Sequence, residues 1–137
     1  MKALFFILFI TLLNSAVGQK FFDTKTLPFI PYKAKVAVNN VIQYKSLSLD
    51  SLLKYGLQVT LDDKSYNVIQ FAIIYDCPSK SVLDFSVRTY LGDKVNGSDE
   101  YFRNRILVGD VIEISHTVIE NRGYRVVMKD ASYIITQ

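Results

Sequence analysis

The chain of 137 residues has one cysteine, one histidine, three prolines, six glycines and no tryptophan. A single cysteine, Cys77, excludes an internal disulfide and any Cys-x-x-Cys metal or redox pair. It stands before Pro78 at the end of an apolar run, where it reads as a small buried or half-buried side chain. The lone histidine, His116, has no His-x-His partner and no clustered carboxylates at ligand spacing, so no metal is expected. No Gly-x-Gly-x-x-Gly or Walker pattern is present to cradle phosphate, and no nucleophile elbow to carry acyl transfer. Lys+Arg number 16 against 13 Asp+Glu, and no basic stripe with interleaved aromatics is seen, which argues against nucleic acid. Internal repeats and low-complexity segments are also missing. These absences together predict no catalytic residues, no cofactor and no metal.

Long apolar runs are confined to the start. Met1-Lys2 supplies one positive charge, residues 3–13 are apolar except Thr11, and Ala16 and Gly18 form a small-x-small pair before Gln19. This is the pattern of a secretory signal, with cleavage expected after Gly18. The run is short for a transmembrane helix, which needs about 20 residues. Gln19 and not a cysteine would begin the mature chain, which argues against a lipoprotein. Removing 18 residues from 137 leaves 119, and losing Lys2 lowers the formal net charge from +3 to +2. The expectation is an exported chain, periplasmic or extracellular, with no transmembrane segment in its mature part. Without disulfides its stability must come from its core alone.

What is present favours strands. Nine Phe and nine Tyr join many Val and Ile, and apolar residues alternate with polar ones. Residues 19–32 read as an extended arm, because Pro28 and Pro31 forbid a central strand; it should pack on the surface or form an edge. Residues 33–137 then form one domain. Strands are expected at 32–38, 41–47, 57–61, 66–77 and 82–91, with a turn at Asn39-Asn40 and a polar loop at 92–97. The run 66–77 is apolar on both faces and should sit mid-sheet or under the arm. Leu49, Leu52 and Leu53 fall at helical spacing between Ser48, a cap, and Gly56, a stop. A second short helix should start at Ser98-Asp99-Glu100, bury Phe102 and Ile106, and end at Gly109. The closing run places Ile112, Ile114, His116 and Val118 on one face, turns at 120–123 through Gly123 in a three- or four-residue loop, and returns in two strands broken at Lys129-Asp130. The predicted fold is an all-β, immunoglobulin-like β-sandwich with two short helices, after an N-terminal signal peptide.

This order of elements resembles the C-terminal domain of the gliding-motility protein GldM. The resemblance is carried by Leu49 to Leu61 (LDSLLKYGLQVTL) and by the strand from Tyr66 to Asp76. It continues in the helix before Gly109-Asp110 (Arg103-Asn104-Arg105-Ile106-Leu107-Val108) and the hairpin from Ile112 through Gly123 to Ile135. It implies a β-rich domain without enzymatic activity, from the periplasmic shaft of the gliding and type IX secretion machinery of Bacteroidetes-type bacteria, which engages other envelope components. The chain departs from the full-length pattern: it lacks the helical periplasmic region, and residues 29–40 stand where a Gly-rich segment is expected. It therefore resembles a free-standing, exported end domain.

The expected function is a non-catalytic protein-interaction or structural module of the bacterial envelope. Its candidate partner surface is the arm, where Phe21, Phe22, Phe29 and Ile30 must either cover a core edge or meet another protein. Gly56, Gly109, Asp110 and Gly123 are expected as structural turns. The alternative is a small-ligand or glycan-binding periplasmic β-sandwich using tyrosines such as Tyr66, Tyr75, Tyr90, Tyr101, Tyr124 and Tyr133.

Overall fold

In the computed structural model, residues 21–76 and 85–137 are described. The expected signal segment 1–18, Cys77, the expected turn at 78–80 and the start of the expected 82–91 strand lie outside the described residues. The rest is mostly β, with two short helices.

The strongest apolar run forms β6, Asn67–Asp76, flanked by β7, Phe85–Leu91, and β9, Val111–Asn121. It sits mid-sheet, as its two apolar faces require. β9 folds back into β10, Tyr124–Lys129, and β11, Ala131–Thr136. Two short strands complete this seven-stranded sheet, each parallel to its neighbour. β1, Phe29–Lys33, lies beside β10, and β4, Ser46–Ser48, beside β11. The arm thus supplies an edge strand, where Pro31 is tolerated.

A four-stranded sheet packs on the same core, in the order β3 (Val41–Gln43), β2 (Lys35–Val38), β5 (Leu57–Thr60), β8 (Lys94–Val95). Asn39 and Asn40, with φ of 49° and 63°, make the β2–β3 turn. Val36, Val38, Leu57 and Val59 from this sheet meet Phe71, Ile73, Tyr75, Ile112, Ile114 and Tyr133 from the large one. Full burial of each such side chain contributes about 1.5–3 kcal/mol.

Helix α1, Leu49–Tyr55, follows its sequence signals. Ser48 caps it by accepting from the Ser51 N–H, Leu52 is buried, and Gly56 ends it at φ 71°. Gly56 is required twice over: its φ is left-handed, and a Cβ there would collide with the Val95 carbonyl. Helix α2, Glu100–Arg105, buries Phe102.

Several expectations are corrected. The expected strand 32–38 is two strands in different sheets, the chain crossing over at the buried Ala34. The expected strand 41–47 likewise divides into β3 and β4. The polar loop 92–97 contains β8, created by its pairing with β5. Asp99, not Ser98, caps α2, and the helix stops at Ile106, which turns extended and buries its side chain. The hairpin turn is tighter than expected. Arg122 and Gly123 alone connect β9 and β10, both at positive φ, as a type I′ turn demands.

His116 also departs from its expected face. Ala72 pairs with Ser115 but Gln70 pairs with Val118, so β9 carries an extra residue between them. His116 takes φ 49° and turns outward. Beyond this bulge Ile119 joins Ile112 and Ile114 in the core between the sheets, while Val118, paired with Gln70, is buried outside that cluster.

Candidate functional site

Two features of the large sheet position candidate binding residues. The first is the fastening of the arm. Gln70 alternates with core Phe71 on β6, so it points to the opposite face of the sheet. Its buried carboxamide accepts from the Phe22 N–H at 2.6 Å and donates to the Phe22 carbonyl at 3.2 Å. This pair of bonds mimics one rung of a sheet. The Arg125 guanidinium lies 4.3 Å from the Phe22 ring centroid while its Nε donates to Glu120 at 2.6 Å. Asp23 then starts a single 3₁₀ turn, Thr24–Thr26, by accepting from the Lys25 N–H. The Val127 N–H donates to the Pro28 carbonyl, where β1 begins.

The four arm residues expected to bind a partner therefore divide. Phe22 is held by its own domain, and Ile30 packs against the core. Phe21 and Phe29 remain 55% and 64% exposed.

The second feature is a cleft of about 620 Å³ between β1, the β9–β10 hairpin and the loop after β5. It exists because the strands of the small sheet, of two to four residues, leave part of the large sheet's inner face uncovered. Ile30, Ile119, Val126 and Met128 line it from the large sheet, and Leu61 from the loop. Tyr32, Tyr66 and Tyr124 add three phenol rings, and Lys33, Asp62 and Asp63 add charge. The loop is internally braced. Asp63 Oδ1 accepts from the Ser65 hydroxyl at 2.6 Å and the Ser65 N–H at 2.9 Å, and Lys64 Nζ donates to the Leu61 carbonyl. The two Ser65 bonds hold the Asp63 carboxyl below its usual range. Lys35 Nζ donates to Asp62 at 2.8 Å, which raises the lysine's own pKa.

Of the tyrosines considered as a platform, only Tyr66 and Tyr124 line this cleft. Tyr75 and Tyr133 are buried, and the Tyr75 and Tyr90 hydroxyls share a 2.9 Å hydrogen bond. Tyr101 stands edge-on to Tyr75 and meets the guanidinium groups of Arg88 and Arg105. Sequence reasoning missed Tyr32, hidden at the end of the arm, and Gln70. A polar amide inside the run Val68-Ile69-Gln70-Phe71-Ala72 was the available signal for the latter.

The expected turn residues are placed as follows. Gly109 and Gly123 have φ of 93° and 82°. Asp110 is buried, accepts from the Leu107 N–H at 2.9 Å, and its carbonyl accepts from Ile135. These roles are architectural.

His116 shares a 2.7 Å hydrogen bond with the Ser115 hydroxyl. Nearby, burial first and the Asp130 carboxyl second push the Glu113 pKa up. Among the described residues no three His, Cys, Asp or Glu side chains are grouped to hold a metal ion. No described helix is long and apolar enough to cross a membrane.

No protein-family model matches the chain, and no curated protein sequence matches it.

Proposed function

We propose that the chain is a non-catalytic, exported interaction module of the bacterial envelope. In this reading it is an immunoglobulin-like β-sandwich similar to the C-terminal domain of GldM and linked to gliding motility or type IX secretion. The amino-terminal segment directs export and is cleaved after Gly18. One observation supports partner docking above all. Phe21 and Phe29 stay exposed on an arm that is tied to the domain right beside each of them, by Gln70 at Phe22 and by β10 at Pro28. Holding aromatic rings in water on an ordered segment has a cost that a partner surface recovers.

The test is a cross-linked recovery of tagged protein from its native envelope, read by mass spectrometry. Wild-type protein should recover gliding or secretion components, and Phe21→Ser/Phe29→Ser should lose them without a change in melting temperature. Equal recovery by both proteins overturns the docking role of the arm. Recovery of no envelope protein by wild-type overturns the assembly reading.

The second reading, a small-ligand or glycan-binding protein, is favoured by the cleft that Tyr66 and Tyr124 share.

A further inference from the structure

We propose that the cleft beside β1 binds a neutral saccharide, a proposal that rests on the second reading and not on partner docking. Its size lies within the several hundred Å³ typical of small-molecule sites. Its lining is divided in a way that discriminates between ligand classes. Ile30, Leu61, Ile119, Val126 and Met128 offer aliphatic surface, and Tyr32 and Tyr124, 72% and 57% exposed, offer rings within reach of a ligand. Three phenols, an ammonium and two carboxylates accompany this apolar surface.

A hydrocarbon would cover the aliphatic residues but displace water from the polar groups without replacing its hydrogen bonds. An anion would meet Asp63, kept ionised by Ser65. A cation would meet Lys33 in the lining and Lys35 bonded to Asp62 beside it. Asp62 and Asp63 are interspersed with Lys33, Lys35 and Lys64, so neither sign of ligand charge finds a site of purely opposite charge. A sugar ring matches what remains. Its C–H face can lie on a phenol ring or on the aliphatic residues, and its hydroxyls both donate and accept.

Two further features favour a discrete ligand over an added peptide strand. The loop carrying Asp62, Asp63 and Tyr66 is already braced by its own hydrogen bonds, so little ordering is required on binding. The free side of β1 is a poor template for strand addition, because Pro31 lacks an N–H and the register slips between Ile30 and Lys33.

The experiment is a screen of the purified protein against an array of neutral oligosaccharides, with acidic oligosaccharides and laurate as comparison probes. Hits are followed by titration calorimetry. A neutral oligosaccharide should bind, and Tyr32→Ala and Tyr124→Ala should each weaken it by about ten-fold or more. Tyr55→Ala, at an exposed tyrosine outside the cleft, should leave the affinity unchanged. Phe21→Ser/Phe29→Ser should also retain saccharide binding, which separates this site from the docking arm. Melting curves establish that each variant is folded. Three results overturn the proposal: no neutral glycan bound, binding indifferent to both cleft tyrosines, or preference for laurate or the acidic probes.

Discussion

Gln70 holds Phe22 by both of its backbone polar groups, across 48 residues of sequence. Replacing Gln70 with Ala removes both bonds and leaves the Phe22 N–H and carbonyl to find water. The expected loss is about 1–3 kcal/mol in urea denaturation. Amide hydrogen exchange should quicken across residues 21–28 before it changes in β6 or β9. Uniform quickening would mean that the arm is integral to the core.

Gly56 and Gly109 both have positive φ, but only Gly56 faces backbone that a Cβ would strike. Gly56→Ala should therefore cost more than about 1 kcal/mol and clearly more than Gly109→Ala. Melting temperatures of the two variants check the order.

The type I′ turn places Arg122 at φ 50°, a conformation that asparagine adopts more readily. Arg122→Asn should stabilise the hairpin, by up to about 1 kcal/mol. The measurement is the urea midpoint at unchanged slope.

Glu113 provides a pH test. Its folded pKa lies above the ordinary glutamate range, so the folded state holds its proton more tightly than the unfolded state. Its favourable contribution is complete below about pH 4.5 and is lost as pH rises through the folded pKa. Glu113→Gln should leave stability less dependent on pH above 4.5 and make the protein more stable than wild type at pH 7. Urea denaturation at the two pH values measures both effects.

Tyr75 is governed by burial first and then by Tyr90, which together push its pKa far above 10. It should remain un-ionised until the protein unfolds in alkali, since stability falls as pH rises past the ordinary tyrosine range. Phenolate absorbance should show a late step coincident with loss of circular dichroism, and Tyr75→Phe should reduce that step.

Local signals were readable and distant ones were not. Helix α1 was legible because its cap, its leucine spacing and its terminal glycine all lie within nine residues. The crossings at Ala34 and between Gln43 and Ser46 left no mark, because alternation continues while the chain changes sheets. β8 owes its existence to β5 rather than to its own composition. At α2, Ser98 and Asp99 are both competent caps, and only the observed bond from the Phe102 N–H to Asp99 decides between them. The bulge at His116 could not be read from β9 alone, since it is defined by register against β6. The candidate site was half legible. Tyr66 and Tyr124 stood out as strand-flanking aromatics, but their meeting depends on the hairpin, the β5–β6 loop and β1 converging.

The parallel neighbours β1/β10 and β4/β11 join the first and fourth described strands to the last two. Such contacts close very long loops, which slows folding. A chain emerging amino end first has no finished edge for β1 or β4 until residues 124–136 arrive. The small sheet and the β6–β7 pair need nothing from that region, but the large sheet stays open at both of these edges until late in synthesis. Arrival of the last two strands therefore times the closing of the large sheet.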